Sequence, residues 1–175
     1  MFEIGFDVEV DPEFPPDEGV PIERIPPDLP RIGAILRLSP PDAPPWDIAI
    51  GAPNWWRTPI STAIAFISDL TGYLVDVAER RILLKEEPVT RIWQAQESGL
   101  LLMVSFDSIC AVGSDGVAWR SGRLAYDDLK VVASNREQIV CRGLVEVDDL
   151  ASGIHSEISV DPRTGEQRSG PRFRG

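Results

Sequence analysis

The sequence predicts a mainly β protein, an antiparallel meander that forms a sandwich or a partly open barrel. Two observations predict this class: short alternating apolar segments separated by turn residues, and the lack of helix-length segments between them. A parallel βαβ sheet needs such helical crossovers, so antiparallel pairing is favoured. The 175 residues fit a single domain over 1–175, since domains usually hold roughly 100 to 200 residues.

Residues 1–11 have the pattern of an N-terminal strand. Apolar side chains alternate with glycine and acids, which places Phe2, Ile4, Phe6, Val8 and Val10 on one face. The next segment, 12–30, is acidic and rich in proline, which fixes φ and removes backbone donors. Of the 16 prolines in the chain, 11 lie in the first 50 residues. We therefore expect 12–30 to run extended over the surface.

The β-rich core is predicted over 31–162, followed by a basic C-terminal tail over 163–175. Before residue 58 the predicted strands are 31–38 and 46–50. After residue 72 they are 73–77, 81–85, 89–95, 100–106, 108–112, 117–120, 129–133, 138–145 and 157–160. Turn residues between these segments indicate a meander.

One short α-helix is predicted near 58–71. Thr58 followed by Pro59 fits an N-cap and first helical position, and Gly72 fits a left-handed stop. The apolar residues between them recur at helical spacing: Ile60, Ala63, Ile64, Ile67 and Leu70.

Two turns share an acid and a glycine at a strand end. The sequences Gly113-Ser-Asp-Gly-Val-Ala-Trp119 and Asp161-Pro-Arg-Thr-Gly-Glu166 resemble the hairpin turns between outer strands of quinoprotein-type β-propeller blades. The resemblance covers about a dozen residues and carries over no ligand or cofactor. A propeller needs at least four blades of four strands, about 40 residues each, so this chain is not expected to supply a full one.

The net charge of −11 is unevenly distributed. Residues 1–30 carry nine acids against Arg24, whereas 163–175 carry four arginines against Glu166. An acidic surface repels phosphate, so nucleic-acid and anionic-membrane partners are not expected, and a basic protein is the favoured partner. Its candidate binding residues are Glu3, Asp7, Glu9, Asp17 and Glu18. The sequence has no signal-peptide pattern at its start and no long apolar run, which predicts a cytoplasmic location.

A second candidate site is the stretch Trp55-Trp56-Arg57, predicted to lie in a loop just before the helix. An exposed indole pair stacks on a sugar ring or anchors a protein partner. The alternative is that one ring folds over the helix start and packs on the sheet. The other tryptophans, Trp46, Trp93 and Trp119, lie in alternating strands and are predicted to be core.

No catalytic, metal or cofactor site is predicted. His155 is the single histidine and is expected in a loop, and the phosphate-binding glycine motifs are absent. Cys110 and Cys141 have the apolar neighbours of buried thiols, although a disulfide between neighbouring strands stays open. The acidic dipeptides at 127–128 and 148–149, together with Glu3, Asp7 and Glu9, leave a weak Ca²⁺ site open.

Three functions remain open, and the favoured one is a non-enzymatic interaction module of the immunity or inhibitor type. The second is a carbohydrate- or small-ligand-binding β-sandwich that uses Trp55 and Trp56. The third is a hydrolase built on two carboxylates, which residue counts neither support nor exclude. The sequence does not predict the oligomeric state.

Overall fold

A computed structural model describes residues 2–11, 22–27, 31–52, 54–147 and 153–173. Within these ranges sixteen strands form four sheets of four strands. The strands of the first two sheets are β1 (Asp7–Val10), β2 (Ile22–Ile25), β3 (Ala34–Ser39), β4 (Trp46–Ile50), β5 (Trp55–Arg57), β6 (Ala63–Ser68), β7 (Thr71–Asp76) and β8 (Arg81–Glu86). Those of the last two are β9 (Arg91–Ala95), β10 (Leu100–Val104), β11 (Ile109–Gly113), β12 (Gly116–Arg120), β13 (Asp127–Ser134), β14 (Ile139–Val147), β15 (Gly153–Val160) and β16 (Gln167–Ser169). One 3₁₀ turn, Gln96–Ser98, joins β9 to β10.

The second, third and fourth sheets are antiparallel meanders whose strands pair in chain order. The first sheet has the order β1-β3-β4-β2, and β2 pairs parallel to β4. The prediction of a mainly β, antiparallel protein is confirmed. The sheets form no closed barrel and pack face to face as in a sandwich, but the packing continues through four layers.

Three hydrophobic clusters join successive sheets. Trp46 and Phe66 belong to the cluster between the first and second sheets, and Ala65 and Met103 to the one between the second and third. Leu102 belongs to the cluster between the third and fourth sheets. None of these three clusters joins the first sheet to the fourth. The sheets therefore follow one another in space as they do in the chain.

This order resembles that of successive propeller blades, and the two blade-like turns lie where such blades have them. Each turn connects the third and fourth strands of its sheet. The turns are also packed together, since Trp119 Nε1 donates to the Pro162 carbonyl at 2.7 Å. A Cβ on Gly165, whose φ is +75°, would lie 2.5 Å from the Trp119 ring. Four sheets of four strands fit within this chain because some strands are as short as three residues.

The predicted helix near 58–71 is wrong, and a turn followed by β6 occupies this region. Thr58 forms a local turn instead of an N-cap: its Oγ1 accepts from the Ile60 N–H at 3.1 Å and lies 3.1 Å from the Ala63 carbonyl. The apolar residues of β6 face two sheets at once, so the run is continuous and mimics helical spacing. Gly72 is not a helix stop. It lies in β7, where a Cβ would lie 2.9 Å from Val89 Cγ2.

The N-terminal strand is shorter than the predicted 1–11. Regular pairing with β3 covers Asp7–Val10, although Ile4, Phe6 and Val8 do pack against the first cluster. The 12–30 prediction falls largely outside the described residues. Within it, β2 is a largely exposed edge strand that pairs parallel to β4.

Both cysteines are buried and free. Cys110 lies in the cluster between the second and third sheets, and Cys141 in the one between the third and fourth. Burial raises the pKa of each thiol to about 12, and the neighbouring Glu86 carboxylate adds to the effect at Cys110. Such thiols are protonated and unreactive in the folded protein. In the part of the chain that the structure describes, no helix is long and apolar enough to cross a membrane.

Candidate functional site

The first strands of the second, third and fourth sheets lie side by side, and a cleft opens along them. Its volume is about 450 Å³, within the range of roughly 300 to 1,000 Å³ usual for ligand pockets. Its lining residues are Ala52, Asn54, Trp56, Ile67, Thr90, Arg91, Ile92, Trp93, Val104 and Val131. We call it the first-strand cleft.

Two half-buried indoles line the first-strand cleft. Trp56 lies on the face of β5 that packs against the third sheet, beside the cluster that contains Ala65. Trp93 lies on the face of β9 that packs against the fourth sheet, and its Nε1 donates to Ser134 Oγ at 3.1 Å. Each ring is thus backed by a packed core while part of it stays accessible.

The polar groups of the cleft are Asn54 and Arg91, which are exposed, and Thr90. Thr90 Oγ1 is held by a hydrogen bond to the Val104 carbonyl at 3.1 Å. None of the lining residues is acidic, although the chain holds 28 Asp and Glu residues. Arg91 forms no ion pair with a described residue. The cleft therefore combines apolar walls with hydrogen-bond donors and one cation.

Direct hydrogen bonds between sheets hold the cleft in shape. Gln94 Nε2 in β9 donates to the Arg57 carbonyl in β5 at 2.7 Å. The Trp93–Ser134 bond joins β9 to β13 in the same way. These two bonds fix β9 to both neighbouring first strands.

The structure separates the residues of the predicted Trp55-Trp56-Arg57 site. They form strand β5 instead of a loop, so the two indoles lie on opposite faces. Trp55 packs against the cluster between the first and second sheets, and only Trp56 lines the cleft. Arg57 contributes its backbone carbonyl to the Gln94 bond.

Sequence reasoning missed Trp93, which was predicted to be core like Trp46 and Trp119. The latter two are buried, whereas Trp93 is only half-buried. Trp93 lies in the first strand of its sheet, as Trp56 does. This shared position could have identified Trp93, but only once the boundaries of the sheets are known.

None of the described acidic candidates lines the first-strand cleft. Glu3, Asp7 and Glu9 are exposed, and the last two project from β1 at the edge of the first sheet. The other two predicted partner-binding acids, Asp17 and Glu18, lie outside the described residues.

His155 lies in strand β15, not in the predicted loop, and its Nε2 is 3.3 Å from Asp128 Oδ2. A hydrogen bond from Lys130 Nζ, 2.6 Å away, is the main cause that lowers the pKa of Asp128, and His155 adds to it. A general acid needs a raised carboxyl pKa, so this exposed pair does not supply one. Within the described ranges no group of three or more His, Cys, Asp or Glu side chains could hold a metal ion.

A second cavity, of about 480 Å³, lies beside the Trp119 turn and is lined by Arg120, Arg123 and Arg172. Two of these guanidiniums are already paired, Arg120 with Glu86 at 2.7 Å and Arg123 with Asp107 at 3.5 Å. The cavity has weaker grounds as a ligand site than the first-strand cleft, because its cations are largely neutralised within the protein.

In the described part of the basic tail, Arg168 is bound close to the fourth sheet. The Arg168 guanidinium pairs with Asp161 and donates to the Glu137 carbonyl, both close to the fourth sheet.

Comparison of the chain with protein-family models, curated proteins and solved structures finds no significant match.

Proposed function

We propose that this protein is a non-enzymatic binding module that holds a small ligand, with a sugar ring as the favoured class, in the first-strand cleft. The observation that carries the proposal is that Trp56 and Trp93, from different sheets, line one cavity of about 450 Å³. The ligand contacts indole surface and hydrogen-bonds to Asn54 and Thr90. This develops the small-ligand interpretation of the sequence, with Trp93 in place of Trp55.

Physical chemistry supports this use of the cleft. A sugar ring has one apolar face of C–H groups, which packs on an indole, while its hydroxyls need donors and acceptors around the rim. The Trp93 N–H is engaged by Ser134, so this ring offers its face and edge for packing. The Trp56 N–H has no partner among the described residues and is available to a ligand hydroxyl.

The test is a titration with monosaccharides and short oligosaccharides, neutral and acidic, followed by calorimetry and by tryptophan fluorescence. We expect saturable binding that falls at least tenfold in Trp56→Ala and in Trp93→Ala. Trp55→Phe is the matched control, because Trp55 neighbours Trp56 but packs on the other face of β5. Urea unfolding of each variant separates lost binding from lost folding. Binding that persists unchanged in both alanine variants would contradict the proposal.

The acidic edge of the first sheet supports a second candidate, the binding of a basic protein. Strand β1 has β3 on one side and no described strand on the other, and its Asp7 and Glu9 carboxylates face outward. Val10 at its end is 47% exposed. An open strand edge with a row of carboxylates offers both backbone pairing and charge to a cationic partner.

This candidate is tested by replacing Glu3, Asp7, Glu9, Asp17 and Glu18 with their amides. Capture of a basic protein should be lost in this variant, and with the wild-type chain it should weaken as salt rises. The control neutralises exposed acids on other sheets, namely Glu97, Asp115 and Glu137. Equal capture by both variants would show that the first-sheet edge is not the binding surface.

A further inference from the structure

We infer that the ligand of the first-strand cleft carries a carboxylate, as a hexuronic acid does, and that Arg91 binds it. This inference rests on the proposed function, because it names the ligand class of the same cleft. It adds a specificity-determining residue, Arg91, which sequence analysis did not single out.

The charge distribution is the first argument. The chain carries a net charge of −11, with 28 acids against 17 basic residues. The first-strand cleft reverses this balance locally, since its lining has Arg91 as a cation and no acid. A neutral ligand gains no ionic attraction from this cation, whereas an anion does, and the acidic charge of the rest of the chain is kept out of the cleft lining.

The state of the Arg91 guanidinium is the second argument. Four arginines of the described chain are paired with carboxylates, among them Arg37 with Asp47 at 3.0 Å and Arg120 with Glu86 at 2.7 Å. Arg91 is exposed at the cleft and has no such partner in the described part of the chain. Its planar, forked donors remain available for a bidentate carboxylate.

The surroundings of Arg91 define the rest of the ligand. Arg91 lies on the same face of β9 as Trp93, two residues away, while Ile92 faces the second sheet. A group bound at Arg91 therefore lies beside the Trp93 indole. Asn54 adds an exposed amide on the same cleft. A ring that bears one carboxylate and several hydroxyls matches this set of one cation, an amide and indole faces.

The number of cations selects a carboxylate over a phosphate. One guanidinium balances the single charge of a carboxylate, whereas a phosphate monoester carries about −1.5 to −2 at neutral pH. In a chain of net charge −11, the remaining charge would stand unbalanced. A sugar phosphate is therefore expected to bind more weakly than the corresponding uronic acid.

The test compares sugars that differ only in the charged group. Glucuronate is titrated against glucose, galacturonate against galactose, and glucose 6-phosphate is added as a third arm, all by calorimetry at low salt. We expect each uronate to bind about tenfold tighter than its neutral partner. In Arg91→Gln the uronate should lose this tenfold advantage while binding of the neutral sugar is unchanged.

The matched control is Arg81→Gln, which removes the same charge from an exposed arginine on the outer strand β8. It should leave the uronate preference intact. Loss of the preference in both variants would show that net charge, and not Arg91, is responsible, and would overturn the inference. Tighter binding of the phosphate than of the uronate would overturn it as well.

Failure of the inference is separable from failure of the proposed function. Equal binding of uronates and neutral sugars that is still lost in Trp56→Ala would reject the carboxylate and leave the binding module standing. If neither uronates nor neutral sugars nor their oligomers bind the wild-type chain, both the proposed ligand class and this inference are rejected.

Discussion

The two inner sheets and the two end sheets of this protein follow different sequence rules. In the second and third sheets, strands such as β7 and β10 are buried at every position. In the first sheet, buried and half-buried residues alternate along β3. In the fourth sheet, most residues of β13 are exposed or half-buried. An inner sheet packs against a neighbour on both sides, whereas an end sheet packs on one. The hydrophobic pattern of a strand therefore depends on how many of its faces are covered. A strand covered on both faces loses the alternation by which strands are recognised in a sequence.

Strand β4 refines this comparison, because it is buried throughout although it belongs to an end sheet. Its outward-facing Asp47 is fully buried and accepts from Arg37 Nε at 3.0 Å. The outward face of this centre strand is thus covered by the long Arg37 side chain from the neighbouring strand. The buried Asp47 carboxylate is tolerated there because it is paired with the guanidinium.

The largest expected effect comes from removing a core side chain between the first two sheets. Phe66 is fully buried, so Phe66→Ala should lower the free energy of unfolding by about 3 to 5 kcal/mol. Val132 in the fourth sheet is 49% exposed, and Val132→Ala should change it by no more than about 0.5 kcal/mol. Urea unfolding measures both. Similar losses at the two sites would break the distinction between inner and end sheets.

The second prediction concerns the close approach of the second and third sheets at Gly72. A Cβ there would lie 2.9 Å from Val89 Cγ2 and 3.1 Å from Met103 Sδ, so Gly72→Ala should cost about 1 to 3 kcal/mol of stability. At Gly122 a Cβ meets nothing within 4 Å, which makes Gly122→Ala the control. If Gly72→Ala is as stable as the control, the packing between these inner sheets is looser than described.

The third prediction uses the two buried thiols as probes of the interior. Because the folded state holds each thiol proton up to a pKa of about 12, the unfolded chain binds fewer protons above pH 9, and stability falls as pH rises. The loss at pH 10 relative to pH 8 should be about 1.4 kcal/mol per thiol. Urea unfolding of the wild type and of the double variant Cys110→Ala/Cys141→Ala at both pH values isolates the loss of stability that is due to the thiols. An equal alkaline loss in the double variant would contradict it.

The smallest effect is expected at the outer strands of the inner sheets. Arg120 Nη2 lies 2.7 Å from Glu86 Oε2, with side chains 53% and 24% exposed. Solvent screening limits such a pair, so Glu86→Gln should cost no more than about 1 kcal/mol at low salt. High salt should reduce the difference further. A larger, salt-independent cost would mean that this outer edge is as dry as the interior.

Much of the fold could be predicted from local pattern. The strand 46–50 was predicted with its observed ends, and the segments after residue 72 were placed within a few residues. These strands are short and bounded by glycine, proline or acidic turns, so local chemistry determines them. The run around β6 has no such alternation, and only the neighbouring sheets decide that it is extended.

The candidate site was predictable in part. Trp56 was a candidate in the sequence because it lies between another tryptophan and an arginine. That it shares a cleft with Trp93 and Arg91 depends on which strands begin each sheet. Trp56 lies more than thirty positions before Arg91 and Trp93 in the chain, and the Gln94–Arg57 hydrogen bond brings the two strands together.

By itself the sequence determined the strand-rich composition, the acidic N-terminal region and the buried thiols, because alternation, charge and apolar neighbours are local properties. Tertiary structure alone decided that the sheets stack in chain order and that the first strands meet in one cleft. It also decided that adjacent indoles face different cores. Contacts between distant strands bury both faces of a sheet, and no window along the chain contains that information.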